Sequence, residues 1–143
     1  MKHNTDTLWV AITGGGISSI AYLLGGIDNL LIAFVILMTL DYLTGVAAAF
    51  YDKNVSSKNA FHGLMKKGAM FSLVIVATQL DIVLGNEGKF VRYAILMFLI
   101  GTEGISLIEN LGRLDIKVPQ FLSNRFSQLK DDHEEEDKDK IAK

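Results

Sequence analysis

Apolar residues gather into four long runs along this chain, Leu8 to Gly26, Leu30 to Tyr51, Gly68 to Leu84 and Val91 to Leu111, with polar connectors between them. Each approaches the roughly 20 residues a helix needs to cross about 30 Å of hydrocarbon. The pattern predicts an all-α membrane protein with transmembrane helices over 8–26, 30–51, 68–84 and 91–111, a leader at 1–7 and a loop at 52–67. The first run is the weakest, because Gly14, Gly15, Gly16, Ser18 and Ser19 lower its hydrophobicity and helix propensity. If it stays out of the bilayer the topology becomes three-span. The same small residues would let two membrane helices approach closely, so Gly14, Gly15 and Gly16 are candidate helix-packing positions. A cleaved signal peptide is the alternative for this run, but its leader carries both Lys2 and Asp6 and no small-x-small cleavage site follows.

The membrane domain closes near residue 117. Pro119 then suits the first turn of a helix, and Phe121, Leu122, Phe126 and Leu129 alternate with Asn124, Arg125, Gln128 and Lys130 at roughly helical spacing. This predicts a short amphipathic helix over 118–130, lying on the bilayer or against its neighbours. The segment 131–143 is almost wholly charged, which predicts a solvated, largely disordered tail. Within 52–67, which is too polar to cross and too short for a domain, an ordered piece is expected near Phe61 to Met65, resting at the headgroups.

Three of the runs carry a carboxylate: Asp41, Asp81 and Glu103. On the insertion scale an aspartate at the helix centre costs ~2.5–3.5 kcal/mol, while each Leu, Ile, Val or Phe returns ~0.3–0.6. The apolar residues from Leu30 to Phe50 therefore outweigh or roughly balance Asp41. At 100° per residue Asp41 shares a narrow face with Thr44, Gly45 and Ala48. Asp81 lies with Ala77, Thr78 and Gly85, and Glu103 with Ser106 and Asn110. These strips suit protein or water better than lipid, which makes Asp41, Thr44, Gly45, Asp81, Glu103, Ser106 and Asn110 candidate lumen or subunit-interface residues. The plainer reading is that the acids make ordinary interhelical hydrogen bonds that fix packing, worth ~0.6–2 kcal/mol each. Glu109 precedes Arg113 by one helical turn in the favoured order for an ion pair, so this pair is expected to anchor the span at the interface.

Lysine and arginine set the orientation. Lys2, then Lys53, Lys58, Lys66 and Lys67, then Arg113, Lys117, Arg125 and Lys130 share one side, against Lys89 and Arg92 on the other. Both termini are therefore expected in the cytoplasm. The chain has 143 residues, half of them apolar, a net charge of −2, one proline and no cysteine. The missing thiols exclude disulfides and thiolate chemistry, and nothing resembles a nucleic-acid surface.

Catalytic constellations are scarce. His3, His62 and His133 lie in distant polar segments without metal-ligand spacing. Gly14 to Gly16 lacks the lysine of a phosphate loop. Asp41, Gly45 and Ala48 resemble the start of the membrane alcohol phosphotransferase signature, but Thr44 and Ala49 stand where its second aspartate and its arginine would be. Two-metal chemistry lacks its ligands, so no catalytic residue, metal or cofactor is expected.

The run Asp41, Tyr42, Leu43, Thr44, Gly45, then Ser56, Ser57, Lys58, then Gly63, Leu64, Lys66, Lys67, and finally Glu103 through Arg113 with Pro119 resembles the phage lysis and toxin-secretion holin family. The likeness covers roughly Leu30 to Leu129, with the Glu-x-x-Ser-x-x-Glu-Asn block its most specific part; Asp115 stands where that family commonly has glycine. The resemblance implies a non-enzymatic protein of phage or prophage origin that gathers as a homo-oligomer in the bacterial cytoplasmic membrane and permeabilises it at a set moment. A peptidoglycan-degrading endolysin or a large toxin then exits as cargo. Two other classes share the features read from the residues. A constitutive small ion channel or transporter would conduct steadily and leave the host unharmed, and a membrane scaffold would lose its activity with 131–143.

Overall fold

The computed structural model describes the backbone of residues 3–141, and side chains from 12 to 130 and at Thr7, Trp9 and Val10. The described residues form α1 (His3–Leu23), α2 (Asn29–Tyr51), α3 (Ser57–Leu84), α4 (Phe90–Arg113) and α5 (Gln120–Ile141). Among them, α2, α3 and α4 are long and apolar enough to cross a membrane. α1 is helical and is not one of these three, so the structure leaves its crossing as an expectation.

Local chemistry sets the boundaries. The Asp28 side chain accepts from the Leu31 amide at 2.9 Å and opens α2, and Ser56 does the same for α3 through Asn59 at 3.4 Å. Both satisfy amides that the first helical turn leaves without partners. α3 closes on Gly85, whose φ of 67° is the left-handed cap that glycine adopts without a Cβ clash. Because Ser56 starts the helix early, Ser57 to Lys67 is the first part of α3, where hydropathy predicts a loop. Phe61, Leu64 and Met65 project from it, all exposed.

Contacts between helices give their directions. Arg92 meets Asp28, and Asn110 meets Asp41, so α2 and α4 run parallel. Lys67 meets Asp41 while Asp81 meets Arg92, so α3 runs against both. Phe126 packs over Gly104 and Lys130 over Gly101, so α5 folds back along α4. The core joins Leu31, Phe34 and Met38 of α2, Met70 and Val74 of α3, and Leu96, Leu99 and Ile100 of α4, with Phe126 and Leu129 of α5 against it. Phe34 and Phe71 meet edge to face, 5.6 Å between centroids. Outside this core the surface is apolar too. Ile36, Leu43, Val76 and Val83 are more than half exposed, an outer face that lipid would cover.

The turn between α4 and α5 holds Asp115 at φ 60°. Glycine takes that conformation freely, and aspartate is among the few other residues that tolerate it. Its carboxylate accepts from the Tyr51 hydroxyl at 2.5 Å, which ties the turn to the end of α2. Beyond Lys130 the helix continues to Ile141, where composition predicts a disordered tail. Glu134 precedes Lys138 by four residues and Glu136 precedes Lys140 by four, the spacing and order that support a helix.

Candidate functional site

A polar network enters the bundle from the end where α2 stops and α3 begins. At its mouth Asp52 accepts from Arg113 at 2.7 and 3.0 Å. Arg113 also donates to the Asn110 side-chain oxygen at 3.3 Å. The Asn110 amide nitrogen then donates to the Asp41 carboxylate at 2.9 Å and to the Asp41 backbone oxygen at 3.2 Å. Lys67 completes the path, donating to Asp41 at 2.8 Å and to Glu103. Roughly 15 Å of helix separates Asp41 from the end of α2, at ~1.5 Å per residue.

Two carboxylates thus share one ammonium. All three side chains are nearly sealed, with exposures of 11% for Lys67, 11% for Asp41 and 3% for Glu103. Each charge has a partner, as a low-dielectric interior demands, yet the group keeps an excess of one negative charge when both acids are ionised. Lys67 reaches this depth because its long stem runs along the core while its head meets the acids. Gly45 makes room on α2: a Cβ there would stand 3.2 Å from the Asn110 nitrogen.

Of the residues singled out from the sequence, the structure brings together Asp41, Gly45, Glu103 and Asn110. Thr44 lies beside them with its hydroxyl donating to the backbone oxygens of Leu40 and Asp41 at 2.8 and 3.1 Å. Ser106 is half-buried on α4 and does not join the network's bonds. Asp81 is at the far end of the bundle. Its oxygens accept from the Val91 and Arg92 amides at 3.0 and 2.7 Å and from Asn86 at 3.2 Å. It caps α4 from a neighbouring helix, where Lys89 offers no side-chain cap. The acids therefore do not form one continuous stripe. Glu109 is exposed, and Arg113 turns to Asp52 instead. Gly14, Gly15 and Gly16 face open space, with nothing within 4 Å of where a Cβ would be, so they make no close helix contact within the chain.

The far end has its own buried cation, which the hydropathy pattern does not reveal. Arg92 has no exposure, and its guanidinium donates to the backbone oxygens of Leu24 and Gly26 at 2.6 and 2.9 Å and to Asp28 at 2.5 Å. Gly25 lies so near that a Cβ would stand 2.7 Å from the Arg92 Cδ. Burial presses the Asp28 pKa upward, but the Arg92 and Leu31 hydrogen bonds and the charges of Arg92 and Lys89 together hold it below 3.8. Lys67, Asp52, Arg92 and Asp28 are the site residues that sequence reasoning passes over. For Lys67 a signal exists, because Lys66 and Lys67 belong to the blocks that carry the holin likeness. For Asp28 it is the capping position ahead of a long apolar run.

Among the described residues no group of histidines and carboxylates is placed to hold a metal ion. The network places charge inside the bundle, and its residues present no nucleophile beside a base. The pattern that defines the bacteriophage holin family matches residues 18–131. The chain belongs to the bacteriophage holin family. Among its relatives, the probable holin of Bacillus phage phi105 is 32% identical over 115 residues, which cover 80% of this chain and 84% of that one. An uncharacterised protein of Listeria innocua is 36% identical over 136 residues, 92% of this chain and 96% of its own length. A 14.9 kDa protein from the nagH 3′ region of Clostridium perfringens is 35% identical over 108 residues, 76% of this chain and 82% of its own length. No solved structure matches the chain. Membership in this holin family, together with three apolar helices, makes the chain a membrane protein whose role is not enzymatic.

Proposed function

We propose that the protein acts as a holin: copies gather in the bacterial cytoplasmic membrane and permeabilise it, so that an endolysin or a large toxin can leave. The observation that carries this reading is the Lys67–Asp41–Glu103 group, two acids on one ammonium, sealed within helices whose outer surface is apolar. In an isolated chain the group is closed and dry. When copies crowd together, rotation of α2 and α4 exposes Asp41, Thr44, Gly45, Glu103, Ser106 and Asn110 to a shared centre, and water repays the unbalanced charge. Such a switch needs two packings separated by only a few kcal/mol. Collapse of the membrane potential would trigger it, since one charge crossing 100 mV is worth ~2.3 kcal/mol.

Both termini face the cytoplasm once α1 spans as well, as the lysine and arginine distribution favours. α1 joins as a fourth span once its open glycine face, Gly14 to Gly16, finds a helix of another copy. Timed expression in a bacterium with a dye-entry readout tests the proposal. The parent chain admits dye abruptly after a delay, and Asp41→Asn or Glu103→Gln shifts that onset. Steady low conduction without a delay would point to a constitutive channel. Unchanged onset and extent in both variants would remove the acids from the mechanism.

A further inference from the structure

A cavity of about 630 Å³ lies at the far end of the bundle, where the end of α1, the end of α3 and the start of α4 meet. Small-molecule sites run to roughly 300–1,000 Å³, so it has the size of one. Ala21, Tyr22 and Ile82 form an apolar wall, and Asn86, Glu87 and Lys89 of the turn between α3 and α4 form the polar part. Tyr22 and Ile82 are more than half exposed, so the wall opens outward.

The charges around this cavity are not equally free. Arg92 is buried, and its guanidinium is taken up by Leu24, Gly26 and Asp28. Asp81 accepts from three donors. Lys89 makes a single hydrogen bond, to the Gly25 oxygen at 2.6 Å, and an ammonium has three protons to give. Glu87 has no hydrogen-bond or ion-pair partner among the described residues. Both side chains are exposed. A cation with donors to spare and an acid without a partner thus stand two residues apart on one turn, beside an apolar wall.

Depth decides what meets them. α3 ends at Leu84 and α4 begins at Phe90, and both are long and apolar enough to cross a membrane. The turn between them therefore lies at headgroup level, with Ile82 nearer the acyl chains. Tyr22 and Lys89 are of the residue types that anchor a protein at this boundary.

We propose that the cavity holds one phospholipid with a zwitterionic headgroup: the phosphate accepts from Lys89, the primary ammonium donates to Glu87, and the root of an acyl chain covers Ala21 and Ile82. An anionic headgroup would set like charge against Glu87, and a quaternary ammonium has no N–H to offer it. The bound lipid ties the exposed end of α1 to the turn between α3 and α4. Only the crossing of α3 and α4 is required, so the site stands or falls apart from permeabilisation.

The test uses the full-length chain in vesicles of phosphatidylcholine. Trp9 is the single tryptophan, so Trp9→Phe with Tyr22→Trp moves the fluorophore to the cavity wall. Phosphatidylethanolamine, phosphatidylcholine and phosphatidylglycerol, each brominated on its acyl chains, are added in rising proportion as quenchers. Phosphatidylethanolamine should quench beyond its share of the lipid and saturate, with an apparent preference of roughly threefold to fivefold over phosphatidylcholine, as one exposed ion pair supplies. Glu87→Ala should erase that preference, and Glu87→Lys should transfer it to phosphatidylglycerol. Glu87 is exposed and unpartnered, so neither change disturbs the fold. Ala21→Phe fills the apolar part and leaves the charges in place; quenching should then follow mole fraction for all three lipids. Quenching in proportion to mole fraction in the parent, a parent preference for phosphatidylglycerol, or a preference for phosphatidylethanolamine that survives Glu87→Ala would each overturn the proposal.

Discussion

Both ends of the bundle bury a cation against carboxylates, and they do it differently. At the far end Arg92 is matched by Asp28 and by backbone oxygens, while Asp81 holds the start of α4. Its bonds run to main chain at the helix ends, so the arrangement depends on the fold and fixes it. In the inner network Lys67 bridges two acids, and apart from the contact of Asn110 with the Asp41 backbone, its links join side chains midway along three helices. One end is a fastener tied to main chain; the other is a side-chain group in which two acids share one ammonium. Permanence belongs where α1, α2, α3 and α4 are tied together, and the proposed opening would need lability in the inner network.

The largest effect should come from breaking the fastener. Arg92→Met leaves Asp28 and the Leu24 and Gly26 oxygens without their donor, and costs about 3–5 kcal/mol. Arg92→Lys should recover little, because a point charge cannot span three acceptors. Unfolding of the purified protein by graded denaturing detergent, followed by loss of helix signal, measures both.

Next in size is Lys67→Met, which strands Asp41 and Glu103 and costs about 3 kcal/mol. Dye entry should begin earlier in this variant. Adding Glu103→Gln should restore most of the delay, since the two side chains met at Lys67 and an amide there can donate to the remaining Asp41 carboxylate. A matching double substitution at the fastener, Arg92→Met with Asp28→Asn, should not restore stability, because the backbone oxygens still lack a donor. Equal rescue at both ends would erase the distinction between them.

Two glycines sharpen the comparison further. Gly25→Ala meets both a φ of 78° and the Arg92 stem, so it should cost about 1–3 kcal/mol. Gly45→Ala presses only on the end of Asn110 at 3.2 Å, and should cost less, roughly 1 kcal/mol. The same unfolding assay ranks them.

The smallest effect is that of acid on the fastener. The Asp28 pKa is depressed below 3.8 in the folded chain, so its contribution is complete above that value and fades as pH falls through the lower, folded one. Near neutrality the Asp28→Asn variant should be less stable than the parent, and the gap should close only in strong acid. A gap unchanged down to that range would detach Asp28 from Arg92.

Hydropathy made much of the scaffold legible. The spans expected at 30–51 and 91–111 are α2 (Asn29–Tyr51) and α4 (Phe90–Arg113) within two residues. It fails where charge and depth separate. Ser57 to Lys67 is polar enough to resemble a loop, so the early start of α3 is hidden, and with it the inward reach of Lys67. Arg92 sits one turn into α4 and counts, by position, as an interfacial charge; only the folded turn at Gly25 and Gly26 buries it. Helical spacing placed Asp81 with its own face, but caps are made in three dimensions, and its partners lie on the next helix. The amphipathic pattern of α5 was legible, while its docking on Gly101 and Gly104 required knowing that α5 turns back.

The account stands on the inner network being dry in a lone chain and wet in an assembly. Thr44→Cys places a thiol beside Asp41 with little change in size, in a chain otherwise free of cysteine. Its reaction with a small charged thiol reagent, followed in vesicles from sparse to crowded loading, measures the wetting directly. Protection is expected when sparse, with a sharp rise in labelling at the loading where entrapped dye escapes. Labelling that is the same at every loading, or dye escape with the thiol still protected, would contradict it.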